Sequence, residues 1–214
     1  MGNSGKIALK RKLDSVFGVL DSNTPERIVF LQEETDWKFL MLVILSAQCS
    51  DKKVMSIKDA LFSKFDALEK LAAAEASEIE DVIRTLGLYR SKAANMRETA
   101  RILIRDHAGK VPQDFEALTR LPGVGRKTAN CVRGEVFHLP AIICDTHFIR
   151  LANRLGFANT NDPLKVERLF AEILEPDRQY RFSMSANFFG RNTCKSANPQ
   201  CEGCILSQFC GFHG

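Results

Sequence analysis

The sequence predicts an all-α protein. A helical period of three to four residues governs the apolar positions along most of the chain, strand-like alternation is confined to residues 140–144, and no internal repeat or low-complexity linker is present. At 214 residues, 45% of them hydrophobic, the chain is long enough for one large core or two small ones.

The elements follow in order. Ile7, Leu13, Val16, Phe17 and Leu20 form a first apolar stripe. Residues 37–45 are strongly apolar behind Asp36, which reads as their N-cap. The segment SEIE, residues 77–80, fits a capping box and opens a helix expected to stop at Gly87. Residues 91–107 are amphipathic, with Ala94, Ile102 and Leu103 inward and the arginines outward. Residues 113–119 and 127–137 form two helices around a glycine turn. Asp145 caps a helix running to Leu155, and another spans residues 163–174.

The net charge is only +4, but it is segregated. Residues 66–81 hold six acids against Lys70, residues 84–105 hold six bases against Glu98, and the start adds Lys6, Lys10, Arg11 and Lys12. Segregation of this kind is the footprint of a face for a polyanion, although an ordinary solvated helix surface carries the same pattern. The longest apolar run, residues 39–47, is too short to cross a bilayer and reads as a buried helix. The basic start is not followed by an apolar block and a cleavage site, and MGNSGK has Lys6 where an acylation start needs Ser or Thr. The expectation is an intracellular, cytoplasmic protein whose seven cysteines do not form a disulfide framework.

Three constellations carry chemistry. Cys194, Cys201, Cys204 and Cys210 follow the spacing C-x6-C-x2-C-x5-C, separated by Asn, Pro and Gly. Four thiolates this close in sequence wrap one metal centre; zinc and iron–sulfur clusters both accept four cysteines, and the spacing decides for neither. Cys49, Cys131 and Cys144 sit in apolar contexts and read as small core residues. The second constellation is LPGVGRKTAN, residues 121–130. Gly123 and Gly125 let the backbone approach a ligand, and the unpaired amides at the start of the next helix make an anion seat to which Arg126 adds charge. A plain turn between two helices is the simpler reading of that stretch.

The third is Lys127 with Asp145. A lysine in the first turn of a helix is electrostatically misplaced. A nucleophilic amine must be neutral, and a helix N-terminus, a neighbouring cation such as Arg126 and partial burial each favour the neutral form. Lys127 is therefore a candidate nucleophile. Asp145, in CDTHFIR, caps its helix and is suited to accept a proton or stabilise a developing cation; the two roles are compatible. His147 reads as a structural or supporting histidine.

The segments ILSAQCSD (44–51), TLGLYRSKA (85–93), LPGVGRKTAN (121–130), CDTHFIRLANRLGF (144–157) and FGRNTC with the three later cysteines lie in order across most of the chain. In this combination the sequence resembles endonuclease III, the family of helix–hairpin–helix DNA glycosylase/lyases with a cluster loop. The resemblance implies two helical lobes with a cleft between them: a cluster lobe from residues 1–28 with 140–214, and a six-helix lobe from residues 29–139. It implies a [4Fe–4S] cluster rather than zinc, held by the four C-terminal cysteines. It implies Lys127 as nucleophile and Asp145 as its acidic partner. Gln48 matches the residue that fills the gap left by an extruded base, and Leu88 the residue that wedges between bases opposite. Gly123, Gly125 and Arg126 would hold phosphate, with Arg191 and Lys195 meeting the backbone near the cluster. The implied activity is excision of oxidised pyrimidines from damaged double-stranded DNA through a lysine Schiff base. Strand cleavage 3′ to the abasic site by β-elimination follows, carried out by a monomer that is nucleoid-associated if the source is bacterial. Cys49 where alanine is usual, Thr119 where glutamate is common, and the lack of histidines in residues 181–190 are departures that bear on lesion preference.

Two alternatives remain beside this reading. A glycosylase for mispaired thymine or uracil would keep the same framework. A non-catalytic DNA-binding hairpin protein would not need Lys127 together with Asp145, just as an electron carrier would not need the hairpin.

Overall fold

A computed structural model describes residues 3–33 and 35–212, with side chains from residue 5 onward. Met1 and Gly2 of the acylation-like start lie outside the described residues. The chain is all-α, and no strand occurs among the described residues. Residues 140–144, the strand-like piece, run as coil with Ala141, Ile142 and Ile143 buried, the Ile143 amide donating to Ser183 Oγ at 3.2 Å. Among the described residues no helix is long and apolar enough to cross a membrane. The chain divides into two compact units: Val29–Phe137 is one, and the segments before and after it form the other.

In chain order the helices are α1 (Asn3–Ser22), α2 (Asp36–Ser46), α3 (Asp51–Lys64), α4 (Leu68–Ala73), α5 (Ala76–Ile83), α6 (Tyr89–His107), α7 (Phe115–Arg120), α8 (Arg126–Phe137), α9 (Thr146–Arg154), α10 (Pro163–Ile173) and α11 (Pro176–Asn192).

In the middle unit α2 is the core: every residue from Phe39 to Leu45 is buried, and α3, α6 and α8 pack around it. Its N-cap is Thr35 and not Asp36, which instead places its carboxylate in the first turn, where it favours the helix dipole. Helix α5 opens two residues earlier than the sequence suggested. Glu75 and Glu78 form the capping box, with the Glu75 amide donating to Glu78 Oε2 at 2.9 Å. The register that buries Ile79 and Ile83 leaves Ser77 inside the first turn, and the helix ends at Ile83, short of Gly87. Helix α6 is also shifted in phase. Leu103 is buried as expected, but Ala94 is exposed, and Lys92 and Ala93 turn inward in its place.

The segregated charges meet in space. Helices α4 and α5 pack on α6. Arg97 faces Glu75 at 3.9 Å, Arg84 pairs with Asp81, Arg105 pairs with Asp106 at 2.7 Å, and Arg101 Nε donates to the Ala72 carbonyl at 2.9 Å. Arg84 and Arg97 thus meet acids of residues 66–81, while Arg101 and Arg105 meet acids of their own helix. Each exposed pair contributes roughly 0–1 kcal/mol.

The terminal unit packs α1 against α10 and α11, and α9 against α10 and α11. Its core is aromatic: Phe148 meets Phe170 edge-on at 4.9 Å, and Phe170 stacks on Phe182 at 5.5 Å. The basic start is taken up here, with Lys6 on Glu172 at 2.5 Å, Lys10 on Glu175 at 2.6 Å and Lys12 donating to the Leu155 carbonyl. Helix α9 begins at the Asp145 cap, as its sequence suggested, and α10 begins at Pro163 as expected, capped by Asp162. The apolar period does not mark α11, because its inward face carries Gln179, Ser183, Ser185 and Asn187 among the apolar residues.

Candidate active site and four-cysteine loop

The turn between α7 and α8 is built by two helices that end and begin within a few residues. Asp114 caps α7 by accepting the Ala117 amide at 2.8 Å, and Leu121 leaves the helix in extended backbone. Gly123 has φ +79°, and a Cβ there would stand 2.9 Å from Asn95 Nδ2 and 3.1 Å from Ile44 Cγ2. Only glycine fits both that backbone and that approach. Thr99 of α6 donates to the Pro122 carbonyl at 3.1 Å and fixes the turn from behind. The Ala129 amide makes the first bond of α8, to Gly125 O at 2.9 Å, so the amides of residues 126–128 have no intrahelical acceptor. No acid stands in that first turn. The Arg126 guanidinium lies 4.5 Å over the Phe115 ring, which aligns the start of α8 with α7.

Lys127 sits in this first turn and is exposed. The expected partial burial is absent, because Ala129, Asn130, Val132 and Gly134 form the inward face of α8. Its charge is felt one turn on, at Cys131, where it opposes the burial that pushes the thiol up to about 12.

Gln48 and Leu88 occupy two corners of the same unit. Gln48 follows α2 and is exposed; Leu88 precedes α6 and is 59% exposed. Both hold left-handed backbone, φ 55° and 58°, a conformation that costs a side-chain-bearing residue about 1–2 kcal/mol.

In the terminal unit Asp145 is buried and its carboxylate is engaged on both oxygens. Oδ1 accepts the amides of His147 and Phe148, each at 2.9 Å, the N-cap of α9. Oδ2 accepts from Asn187 Nδ2 at 2.5 Å and lies 3.9 Å from Arg191 Nη2. Arg191 Nε in turn donates to Asn187 Oδ1 at 2.7 Å. Gly190 allows this approach of α11 to α9, since a Cβ there would meet His147 Cβ at 3.0 Å and its carbonyl oxygen at 3.2 Å. Burial pushes the His147 imidazole below its ordinary value; Asp145 pulls it back up, and Arg191 and Arg150 push it down again. Sequence reasoning did not find Asn187. The available signal was its place one turn before Arg191 in a helix with a polar inward face. Arg191, expected near the cluster loop against DNA, is placed beside Asp145.

The four C-terminal cysteines occupy the loop after α11. Cys194, Cys204 and Cys210 are partly buried against the terminal core, and Cys201 is exposed. The loop is braced by α9. Arg150 donates to the carbonyls of Cys194 and Gly190 at 2.8 and 2.7 Å, and Arg154 donates to Cys194 Sγ at 3.2 Å and to the Lys195 carbonyl at 2.8 Å. Burial pushes the Cys204 thiol up, the Leu206 amide draws it down, and Cys194, Cys210 and Cys201 push it up further. Among the described residues no three His, Cys, Asp or Glu side chains are placed to hold a single metal ion. Cys144 is pushed well above the ordinary thiol range by burial.

Residues 41–176 match the pattern of the HhH-GPD superfamily base excision DNA repair proteins. Endonuclease III of Thermotoga maritima is 38% identical over 182 residues, covering 85% of this chain and 85% of the relative. A solved trapped endonuclease III–DNA covalent intermediate superposes with a TM-score of 0.90 at 36% identity, covering 94% of this chain and 95% of that one. A thermostable thymine-DNA glycosylase superposes with a TM-score of 0.86 at 26% identity, covering 95% and 97%.

Proposed function

The chain belongs to the endonuclease III family within the HhH-GPD superfamily of base excision DNA repair proteins, and we propose that it releases oxidised pyrimidines from duplex DNA with Lys127 as nucleophile and then cuts the strand. It is a DNA glycosylase and abasic-site lyase. The observation that carries the assignment of roles is the position of Lys127: an exposed amine in the first turn of α8, directly behind a glycine turn at a helix N-terminus, a place that suits a phosphate.

In the proposed reaction the neutral Lys127 amine attacks C1′ of the damaged nucleotide. The bond from C1′ to the base breaks, and the base leaves with the bonding electrons and takes up a proton. The sugar ring opens to a Schiff base between Nζ and C1′. Loss of a C2′ proton then expels the 3′ phosphate. Asp145 takes the proton that the attacking amine sheds and offsets the positive charge that develops on the sugar. Asn187 and Arg191 support this role, because they hold one carboxylate oxygen while the helix cap holds the other. Gln48 and Leu88 assist extrusion of the base, which costs a few kcal/mol and less where the damaged base pairs poorly. Gly123, Gly125 and Arg126 hold phosphate.

Cys194, Cys201, Cys204 and Cys210 are assigned to a [4Fe–4S] cluster. The donor types fit in their chemistry: four thiols share one short loop, and four cysteines are a ligand set that such a cluster takes. Four thiolates in that arrangement repel one another unless a cationic centre lies among them. When bound, the cluster would supply a rigid structural centre for the loop that Arg150 and Arg154 tie to α9.

Base release from a panel of duplexes, each carrying one lesion, tests the reading. Release of oxidised pyrimidines is expected to dominate. Preferred release of thymine or uracil opposite guanine would move the chain to the second reading, which the 26% identical thymine-DNA glycosylase favours.

A further inference from the structure

Lys92 takes no part in the chemistry above, yet it is 4% exposed. A buried ammonium needs an acceptor. It donates to the sulfur of Cys49 at 3.0 Å. Burial alone would push the Cys49 thiol up; the Lys92 ammonium, the Gly87 amide and the charge of Lys53 bring it below its ordinary value. Cys49 thus supplies the acceptor that the buried ammonium needs.

The placement of this sulfur gives it a mechanical consequence. Cys49 follows Gln48 directly, Gly87 precedes Leu88 directly, and the Lys92 amide donates to the Leu88 carbonyl at 3.0 Å. The Lys92–Cys49 bond therefore ties the two corners together, each of which carries a residue with left-handed backbone. Such backbone persists only where its surroundings over-determine it. We infer that Lys92 is a positioning residue that acts through Cys49 to lock the Gln48 and Leu88 corners into one rigid unit, so that both side chains meet a duplex in fixed relation. The inference rests on the extrusion roles proposed for Gln48 and Leu88. Its chemistry is an ammonium–sulfur clamp outside the reacting atoms, and it gives Cys49 a task that an alanine could not perform.

The test compares iron-loaded Lys92→Met, Cys49→Ala, Cys49→Ser and the Lys92→Met/Cys49→Ala double variant with Gln48→Ala and Leu88→Ala. Each is assayed under single turnover on a duplex with one oxidised pyrimidine and on a duplex with a pre-formed abasic site. A 2-aminopurine next to the lesion reports unstacking, and thermal melting reports the fold. Lys92→Met is expected to lower base release about tenfold relative to abasic-site cleavage, the loss of one charge-assisted hydrogen bond, and to weaken the 2-aminopurine signal. Cys49→Ser, which keeps an acceptor, should retain more activity than Cys49→Ala. The double variant should lose no more than Lys92→Met alone and should melt near the wild type, because neither partner is left buried alone. Equal losses on both substrates, additive losses, or losses that follow the melting temperature would overturn the inference. If Gln48→Ala and Leu88→Ala show the selective loss and Lys92→Met does not, the clamp is wrong while the extrusion roles stand. If those two variants show no selective loss, the extrusion roles fail and the clamp falls with them.

Discussion

Lys127 and Asp145 both stand at the start of a helix, and their surroundings are opposite. Lys127 is exposed in the first turn of α8, and the chain around it is shaped by backbone: a glycine turn, a proline carbonyl held by Thr99, amides without intrahelical acceptors. Asp145 is buried before α9, and the chain around it is shaped by side chains: Asn187, Arg191 and the two capped amides fix both carboxylate oxygens. The difference suits the proposed division of labour. A nucleophile has to follow a carbon atom through a reaction and so needs reach. A carboxylate that offsets charge works best when it is already in place and needs no reorganisation.

Asp145→Asn attacks the fixed half and carries the largest effect. Asn caps helices as well as Asp, so α9 should survive while single-turnover base release falls by about 10²–10⁴, the usual worth of a positioned acid–base group. Full activity in this variant would reduce Asp145 to a cap. Cys201→Ser removes a ligand from the loop that Arg150 and Arg154 tie to α9. The wild-type protein should contain roughly four irons per chain with broad visible absorbance, and the variant should lose colour and DNA affinity together. A colourless wild type holding one zinc would contradict the cluster. Asn187→Leu leaves Asp145 Oδ2 without its closest donor; base release should fall about tenfold, in line with a lost hydrogen bond to a charged group, and Lys127 chemistry at a pre-formed abasic site should fall less.

The smallest effect is a pH dependence. The folded-state value of His147 lies below the ordinary 6.5, burial being the largest cause. The native state therefore holds its proton less readily than the unfolded chain. The contribution to stability is present above the ordinary value and is lost as pH falls through the folded one. Wild type should lose more melting temperature between pH 7 and pH 5 than His147→Gln does; identical losses would assign the imidazole no such role.

What was legible in the sequence was local. The cap of α9, Asp145, lies within a few residues of the amides it binds, and the glycine turn announces its own geometry. What was not legible depended on distant partners. Asn187 meets Asp145 across 42 residues and Lys92 meets Cys49 across 43, and a lysine on an amphipathic helix reads as outward until its acceptor is known. The segregated charges point to a polyanion face in the sequence, yet folding sets acidic α5 against basic α6 and brings Arg97 to Glu75. The capping box of α5 was misplaced by two residues because a glutamate, Glu75, takes the cap position where the sequence offered Ser77.

The central claim is that the exposed amine of Lys127 forms the covalent link. Incubating the protein with abasic-site DNA in the presence of borohydride reduces a Schiff base to a stable secondary amine. The protein is expected to become covalently attached, peptide mapping should place the link at Lys127, and Lys127→Gln should abolish trapping while retaining much of the DNA binding, since phosphate contacts elsewhere supply most of it. Trapping that persists in Lys127→Gln, or a link mapped to another amine such as the N-terminus, would contradict the account and leave Lys127 as a phosphate ligand.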